Sequence, residues 1–307
     1  MSAKSIWRHA RGRCATDARC VALVLAFVVT QESSGCAQGS PGAGWDSVGV
    51  ILKAPAASTG GYIRFNFPRR DITLKVGDVT VTSAMALGGW AGFSGEPSNA
   101  TVMGDLVLTS GELKPVLAEL ARQNLAVTAI HNHLAGESPQ ITYLHFHAEG
   151  SALDLARRLD RVLALTATPR PVVTAPPVPA TIDTALIFTT LGIRGRGQGN
   201  VAQLSAILVP GEVRMHDRIV NPAMGYGTPI NIQMVDDRRA VATGDFTVLG
   251  ARVDAVTRAL AAHGITATAV HSHLIDEQPS LRYIHFWADG PLPEILRGLK
   301  AALDSAR

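Results

Sequence analysis

Residues 131–150 read HNHLAGESPQITYLHFHAEG, and residues 271–290 read HSHLIDEQPSLRYIHFWADG. The shared positions keep one offset of 140: His131 with His271, His133 with His273, Glu137 with Glu277, Pro139 with Pro279, Tyr143 with Tyr283, His145 with His285, Phe146 with Phe286 and Gly150 with Gly290. Seven of the ten histidines lie in these two stretches, so the duplication has kept imidazole where packing alone would not require it. Imidazole is a common metal ligand and the side chain that titrates nearest neutral pH. The repeated stretch is therefore the candidate functional element.

Its alternation decides the local fold. A hairpin about the 134–142 connection places His133 opposite Tyr143 and His131 opposite His145. Side chains alternate faces along a strand, and opposed residues share a face. His131, His133, Tyr143, His145 and His147 then point one way, with Ile130, Leu144 and Phe146 pointing back toward helices. The second copy gives His271, His273, Tyr283 and His285 in front, with Val270, Ile284 and Phe286 behind. A one-residue slip would bury the histidines, and the apolar alternation opposes it.

Outward from the motif the repeat continues. Gly104-Asp105 matches Gly244-Asp245, and Ala84-Met85 lies near the register of Ala223-Met224. A strand around 101–108 (240–249) precedes a helix, for which Ser110 is the expected N-cap. Leu113, Val116, Leu117 and Leu120 form its apolar stripe, echoed by Val253, Val256 and Leu260. Asn124 stands where the second copy has Gly264, and these two residue types best tolerate the left-handed conformation that ends a helix. Strands follow through 126–133 and 141–147, then amphipathic helices at 151–165 and 291–304. Further strand-like material lies at 61–67, 72–82 and 201–209. The expected fold class is α+β: two homologous repeats, each an antiparallel sheet with helices packed on one face.

The segment Thr166 to Ala180, TATPRPVVTAPPVPA, carries five prolines and favours extended polyproline geometry. It divides the chain into a first repeat at 46–165, a linker at 166–181 and a second repeat at 182–306. Upstream, five basic residues precede the short apolar run Val21 to Val29, and small residues follow at Gly35-Cys36-Ala37. That order describes an export signal over 1–37, and the run is far shorter than the roughly 20 residues a bilayer span needs. Cleavage before Gln38 and lipidation at Cys36 both remain open. The first implies a periplasmic protein, the second a lipid-anchored one.

Residues 1–36 hold five basic and two acidic side chains, and the remainder balances at 23 of each. A formally neutral mature chain offers no surface for nucleic acid. The three cysteines are Cys14, Cys20 and Cys36, so cysteine is excluded from any metal site in the repeats.

Three imidazoles on one sheet face with a nearby carboxylate make a ligand set for a divalent transition metal, zinc first, with iron, manganese or copper as alternatives. The candidate ligands are His131, His133, Glu137 and His145, with His271, His273, Glu277 and His285. His147 is a spare ligand private to the first copy, because Trp287 replaces it in the second. The same residues could serve three functions: binding a metal ion or small molecule, metal-dependent hydrolysis or oxygenation with Glu137 or Glu277 as general base, or a structural adaptor with scaffold histidines. The HNH string is not the ββα element of the nucleases named for it, since Asn132 becomes Ser272. The His-x-His-x3-Glu spacing of cupins lacks the second cupin motif, and a helix precedes it.

The tandem units, the HNHLxxExPxxxYxHF stretch, the preceding GDLVL and helix, and the exported N-terminus together resemble the LppY/LpqO-type bacterial lipoprotein family. The resemblance covers nearly the whole mature chain. It implies an envelope protein, often lipid-anchored, built from a domain of unknown function, and it supplies no reaction.

Overall fold

The computed structural model describes residues 43–174 and 176–307, and the candidate export signal and Cys36 lie outside the described residues. The first repeat runs α1 (Ala43–Leu52), β1 (Ala56–Thr59), β2 (Tyr62–Pro68), β3 (Leu74–Val76), β4 (Val79–Val81), α2 (Ser83–Ala86), β5 (Gly88–Glu96), β6 (Asn99–Thr109), α3 (Ser110–Arg122), β7 (Ala126–His131), β8 (Glu137–Ser138), β9 (Ile141–Gly150) and α4 (Ala152–Leu163). The second runs α5 (Thr184–Leu191), β10 (Gly195–Gln198), β11 (Val201–Ala206), β12 (Arg214–Met215), β13 (Arg218–Ile219), α6 (Pro222–Gly225), β14 (Thr228–Met234), β15 (Ala240–Leu249), α7 (Val253–Ala262), β16 (Thr266–His271), β17 (Glu277–Gln278), β18 (Leu281–Gly290) and α8 (Leu292–Ala306).

Each repeat is an α+β unit built on a six-stranded antiparallel sheet. The strand orders are β1-β2-β5-β6-β9-β7 and β10-β11-β14-β15-β18-β16, the same topology twice. The alternation in β9 sends Leu144 and Phe146 to the helical face, where they meet Leu155 and Leu159 of α4 and Val116 and Leu120 of α3. Leu155, Leu159 and Val162 recur at helical spacing and are fully buried. Burial of each contributes about 1.5–3 kcal/mol. Ile284, Phe286, Val256, Leu260, Leu296 and Leu299 repeat this core in the second unit.

The other faces of the two sheets turn toward each other. Tyr62 and Met103 of the first repeat share a cluster with Met224, Tyr226 and Tyr283 of the second. Val241 of β15 packs in a cluster with Leu74, Met85 and Tyr143. The layers therefore run helices, sheet, sheet, helices, and the histidine faces lie in the inner seam.

Each repeat also sends an arm across that seam. The first arm, β3-β4-α2, pairs with β8 and presents its turn to the second sheet. Gln233 of β14 accepts from the backbone N–H and hydroxyl of Thr82 (3.0 and 2.9 Å) and donates to the Thr80 carbonyl at 2.9 Å. Asn231 donates to the Met85 carbonyl and Gln203 to that of Ala84. The second arm, β12-β13-α6, pairs with β17, and its Asn221 donates to the Gly60 carbonyl at 2.8 Å.

Some local details differ from the sequence expectation. The box that opens α3 uses Thr109, one residue before Ser110, and the Glu112 carboxylate accepts from the Thr109 N–H at 2.8 Å. The hairpin register places His131, not His133, opposite Tyr143, and Ala129 opposite His145. The early end of β7 at His131 lengthens the connection by two residues and accounts for the offset, which leaves the faces unchanged. Ile130 and Val270 are about half exposed, because β7 and β16 are edge strands beyond the helices' cover. Asn124 and Gly264 do end their helices with φ of 49° and 70°.

Candidate metal centre

The central strands bring histidine and aspartate together by their ladder register. In each sheet an aspartate on the long middle strand pairs with the histidine of the neighbouring one: Asp105 of β6 with His145 of β9, and Asp245 of β15 with His285 of β18. Both aspartates follow a glycine forced by close approach. A Cβ on Gly104 would sit 2.5 Å from the Phe146 ring, and one on Gly244 would sit 2.1 Å from the Pro229 carbonyl oxygen.

His131 and His271 end the edge strands, and His133 and His273 lie two residues beyond them. Each outer ring is held by a tyrosine. His133 stacks on Tyr143 with centroids 3.4 Å apart, and His273 on Tyr283 at 3.8 Å. The tyrosines are fixed in turn, their hydroxyls donating to the carbonyls of Ala86 and Gly225 at 2.8 Å. The Asn132 side chain closes the following loop by donating to the Ile141 carbonyl.

The two sets of three imidazoles form one cluster across the seam. His131 lies 4.1 Å from His271 between centroids, His133 lies 4.0 Å from His285, and His145 lies 3.8 Å from His273. Nε2 of His271 and Nε2 of His273 are 2.7 Å apart. Two groups converge with ligand atoms all within 4.8 Å of one another: His131, His133 and His145, and His131, His271, His273 and His285. The second group takes ligands from both repeats.

The carboxylates beside these rings are Asp105 and Asp245. Asp105 oxygens lie 4.0 Å from His133 Nε2 and 3.8 Å from His145 Nε2. Asp245 oxygens lie 3.6 Å from His273 Nε2 and 3.7 Å from His285 Nδ1. These gaps are too long for hydrogen bonds. Two ligands each about 2.0–2.2 Å from a shared ion span at most about 4.4 Å, so the gaps from Asp105 to His133 and His145 and from Asp245 to His273 suit coordination. His285 Nδ1 instead donates to the Gly244 carbonyl at 3.1 Å and leaves Nε2 as its free donor.

Glu137 and Glu277, expected as the carboxylate ligands, stand in neither converging group. Their strands β8 and β17 are drawn away into pairing with the arms, and the Glu277 carboxylate accepts from the Leu281 N–H at 2.7 Å. His147 also stands apart, its Nε2 3.7 Å from a Glu149 oxygen and its ring 6.0 Å from that of His216. The aspartates escaped the sequence reading as ligands. Their signal was a carboxylate kept at the 140 offset inside an otherwise apolar strand.

Burial makes this cluster costly without a partner. It holds His271 down to about 4 and, with the adjacent His271, His145 down to about 3. His131, His133, His273 and His285 are lowered by burial and then by neighbouring imidazoles, so all six rings are neutral, the form that binds metal. Burial pushes Asp105 well above the usual carboxylate range, opposed by Arg64 and reinforced by Asp245, and burial pushes Asp245 up as well. Both nitrogens of His131, Nε2 of His133, His145 and His285, Nδ1 of His271 and one oxygen of each aspartate are buried without a hydrogen-bond partner. A buried orphan of this kind costs about 1–3 kcal/mol. A bound cation would satisfy these atoms together, so the donor set fits a transition metal.

The profile of the family described as Domain of Unknown Function (DUF1259) matches residues 46–165 and again 186–305. The chain belongs to this family and carries its domain as a tandem repeat. No curated protein matches the chain. A solved structure of a double-ringed trimeric shell protein, MSM0271, from the RMM microcompartment aligns with 68% of this chain and 83% of its own. Its identity is 12% and its TM-score 0.19, too low to carry an argument.

Proposed function

We propose that this chain is a transition-metal-binding protein of the bacterial cell envelope, with zinc the ion its donors suit best. The observation that carries the reading is the convergence of six neutral imidazoles, with unpartnered buried nitrogens, at the seam of the two repeats. Nitrogen and carboxylate donors without thiolate suit zinc, with iron, manganese and copper as competitors.

Binding, in the sense of sequestering or sensing the ion, is favoured over metal-dependent hydrolysis or oxygenation. A catalytic zinc keeps about three protein ligands and an open position for water, whereas this seam is crowded with protein donors. A purely structural role for the histidines would disperse the rings or give them hydrogen-bond partners.

Envelope location rests on the basic and apolar N-terminal segment and on the likeness to LppY/LpqO-type lipoproteins. No described helix is long and apolar enough to cross a membrane. Membrane attachment would then come through a lipid on Cys36, which the mass of the mature N-terminal peptide would reveal.

Elemental analysis after zinc loading and gel filtration tests the metal. The wild-type chain should retain zinc in stoichiometric amount, and His131→Ala with His271→Ala should lower its affinity at least about 100-fold, in keeping with removal of two ligands. Zinc lost on the column, or unchanged affinity in the double variant, overturns the proposal.

A further inference from the structure

Asp105 and Asp245 give the seam a property that the histidines alone do not. Each is more than nine-tenths buried, at 6% and 4% exposure, and each keeps one oxygen without a hydrogen-bond partner. Each faces two imidazoles of its own repeat across gaps of 3.6–4.0 Å. The arrangement is therefore a grouping made twice: Asp105 with His133 and His145, and Asp245 with His273 and His285, the last presenting Nε2 because its Nδ1 donates to the Gly244 carbonyl. The remaining pair, His131 and His271, lies with rings 4.1 Å apart.

Donor number now decides the occupancy. A zinc ion in a closed protein site takes about four ligands. One ion would use only about half of the eight donors and leave several of the unpartnered ones buried and unsatisfied, at about 1–3 kcal/mol each. Two ions, each with one grouping and one of the paired histidines, would use all eight. The groupings are also adjacent, because His145 lies 3.8 Å from His273 and His133 lies 4.0 Å from His285 between ring centroids.

We infer that the centre is dinuclear, with Asp105 and Asp245 as its carboxylate ligands and one ion assigned to each repeat's grouping. This inference rests on the metal-binding reading above and adds nuclearity and two ligands to it. It makes the seam a shared site: neither repeat alone supplies the whole constellation.

The test is equilibrium dialysis of the full metal-free chain against zinc, followed by elemental analysis, for wild type, Asp105→Asn, Asp245→Asn and His147→Ala. The Asn variants keep side-chain shape, and circular dichroism verifies that they fold. Wild type and His147→Ala should hold two zinc ions per chain, and each Asn variant should hold one tightly, with the second weakened at least about 10-fold. Copper(II) loading gives a readout independent of variants: two adjacent ions should couple magnetically and diminish the isolated-ion resonance signal. One zinc per wild-type chain overturns the dinuclear inference and leaves the metal-binding reading standing. Two zinc ions in wild type and in both Asn variants, with unchanged affinity, overturns the role of the aspartates. No zinc at all overturns the parent reading itself.

Discussion

In the first repeat the start of α3 is tied to the sheet by Arg69, a guanidinium with 1% exposure that donates to Glu112, Asp71 and the Val107 carbonyl. The second repeat does without this. Phe65 and Leu204 hold the same rung of their ladders, through Ala91 to Gly104 and through Ile230 to Gly244. Four residues on from that rung stand Arg69 and Leu208, and the counterpart of Glu112 is Arg252, which is exposed. One repeat fastens the junction with buried charge and the other with an apolar side chain. The arms differ in the same spirit. The first is clasped by Gln233, Asn231 and Gln203 and pairs Asp78 with Arg239, whereas the second makes one amide contact to Gly60, is tied by Arg218 to Asn99 and Glu149, and packs Met224 beside Tyr62. What does not differ is the set of six histidines, two aspartates and two tyrosines at the seam. Fastening can vary between the repeats, while the donors are the same on both sides.

Seven substitutions would break or sharpen this contrast. Arg69→Ala should have the largest effect, destabilising the chain by about 3–5 kcal/mol in urea unfolding, because it leaves the Glu112 carboxylate without its buried counter-charge. Leu208→Ala, at the matching site, should cost about 2–3 kcal/mol through lost burial alone, and a cost equal to that of Arg69→Ala would erase the distinction. Gln233→Ala comes next, at about 1–3 kcal/mol, since it strands the Thr80 carbonyl and the Thr82 N–H. Asn221→Ala on the other arm should cost about 0.5–2 kcal/mol, because its Oδ1 caps α6 by accepting from the Met224 N–H, while water replaces its exposed contact to Gly60. Gly264→Ala should cost about 1 kcal/mol by forcing a Cβ into the left-handed region, and Asn124→Gly should be close to neutral. Smallest of all, His147→Trp, which copies Trp287 into the first repeat, should leave zinc stoichiometry unchanged.

Much of this architecture is legible in single positions of the sequence. The alternation of Leu144 and Phe146 against His145 fixes the face, and a register error of two residues cannot change it, because side chains repeat with period two. Asn124 in place of Gly264 marks the helix end because only a few residue types accept positive φ. Other features rest on contacts far apart in the chain. The convergence of His131 with His271 depends on how two sheets stack, which no local pattern encodes. Glu137 reads as a ligand from its spacing to His133, yet pairing of its strand with β3 takes it elsewhere. Asp105 reads as a repeat marker inside a buried strand, and it becomes a ligand candidate only when the ladder sets it across from His145.

The central claim is that the histidines at the seam bind metal directly. X-ray absorption at the zinc K-edge of the loaded, gel-filtered chain tests it most directly. The account predicts a first shell of nitrogen and oxygen at about 2.0–2.2 Å, with the outer-shell scattering of several imidazoles per ion. A shell of oxygen alone, without imidazole scattering, would contradict it.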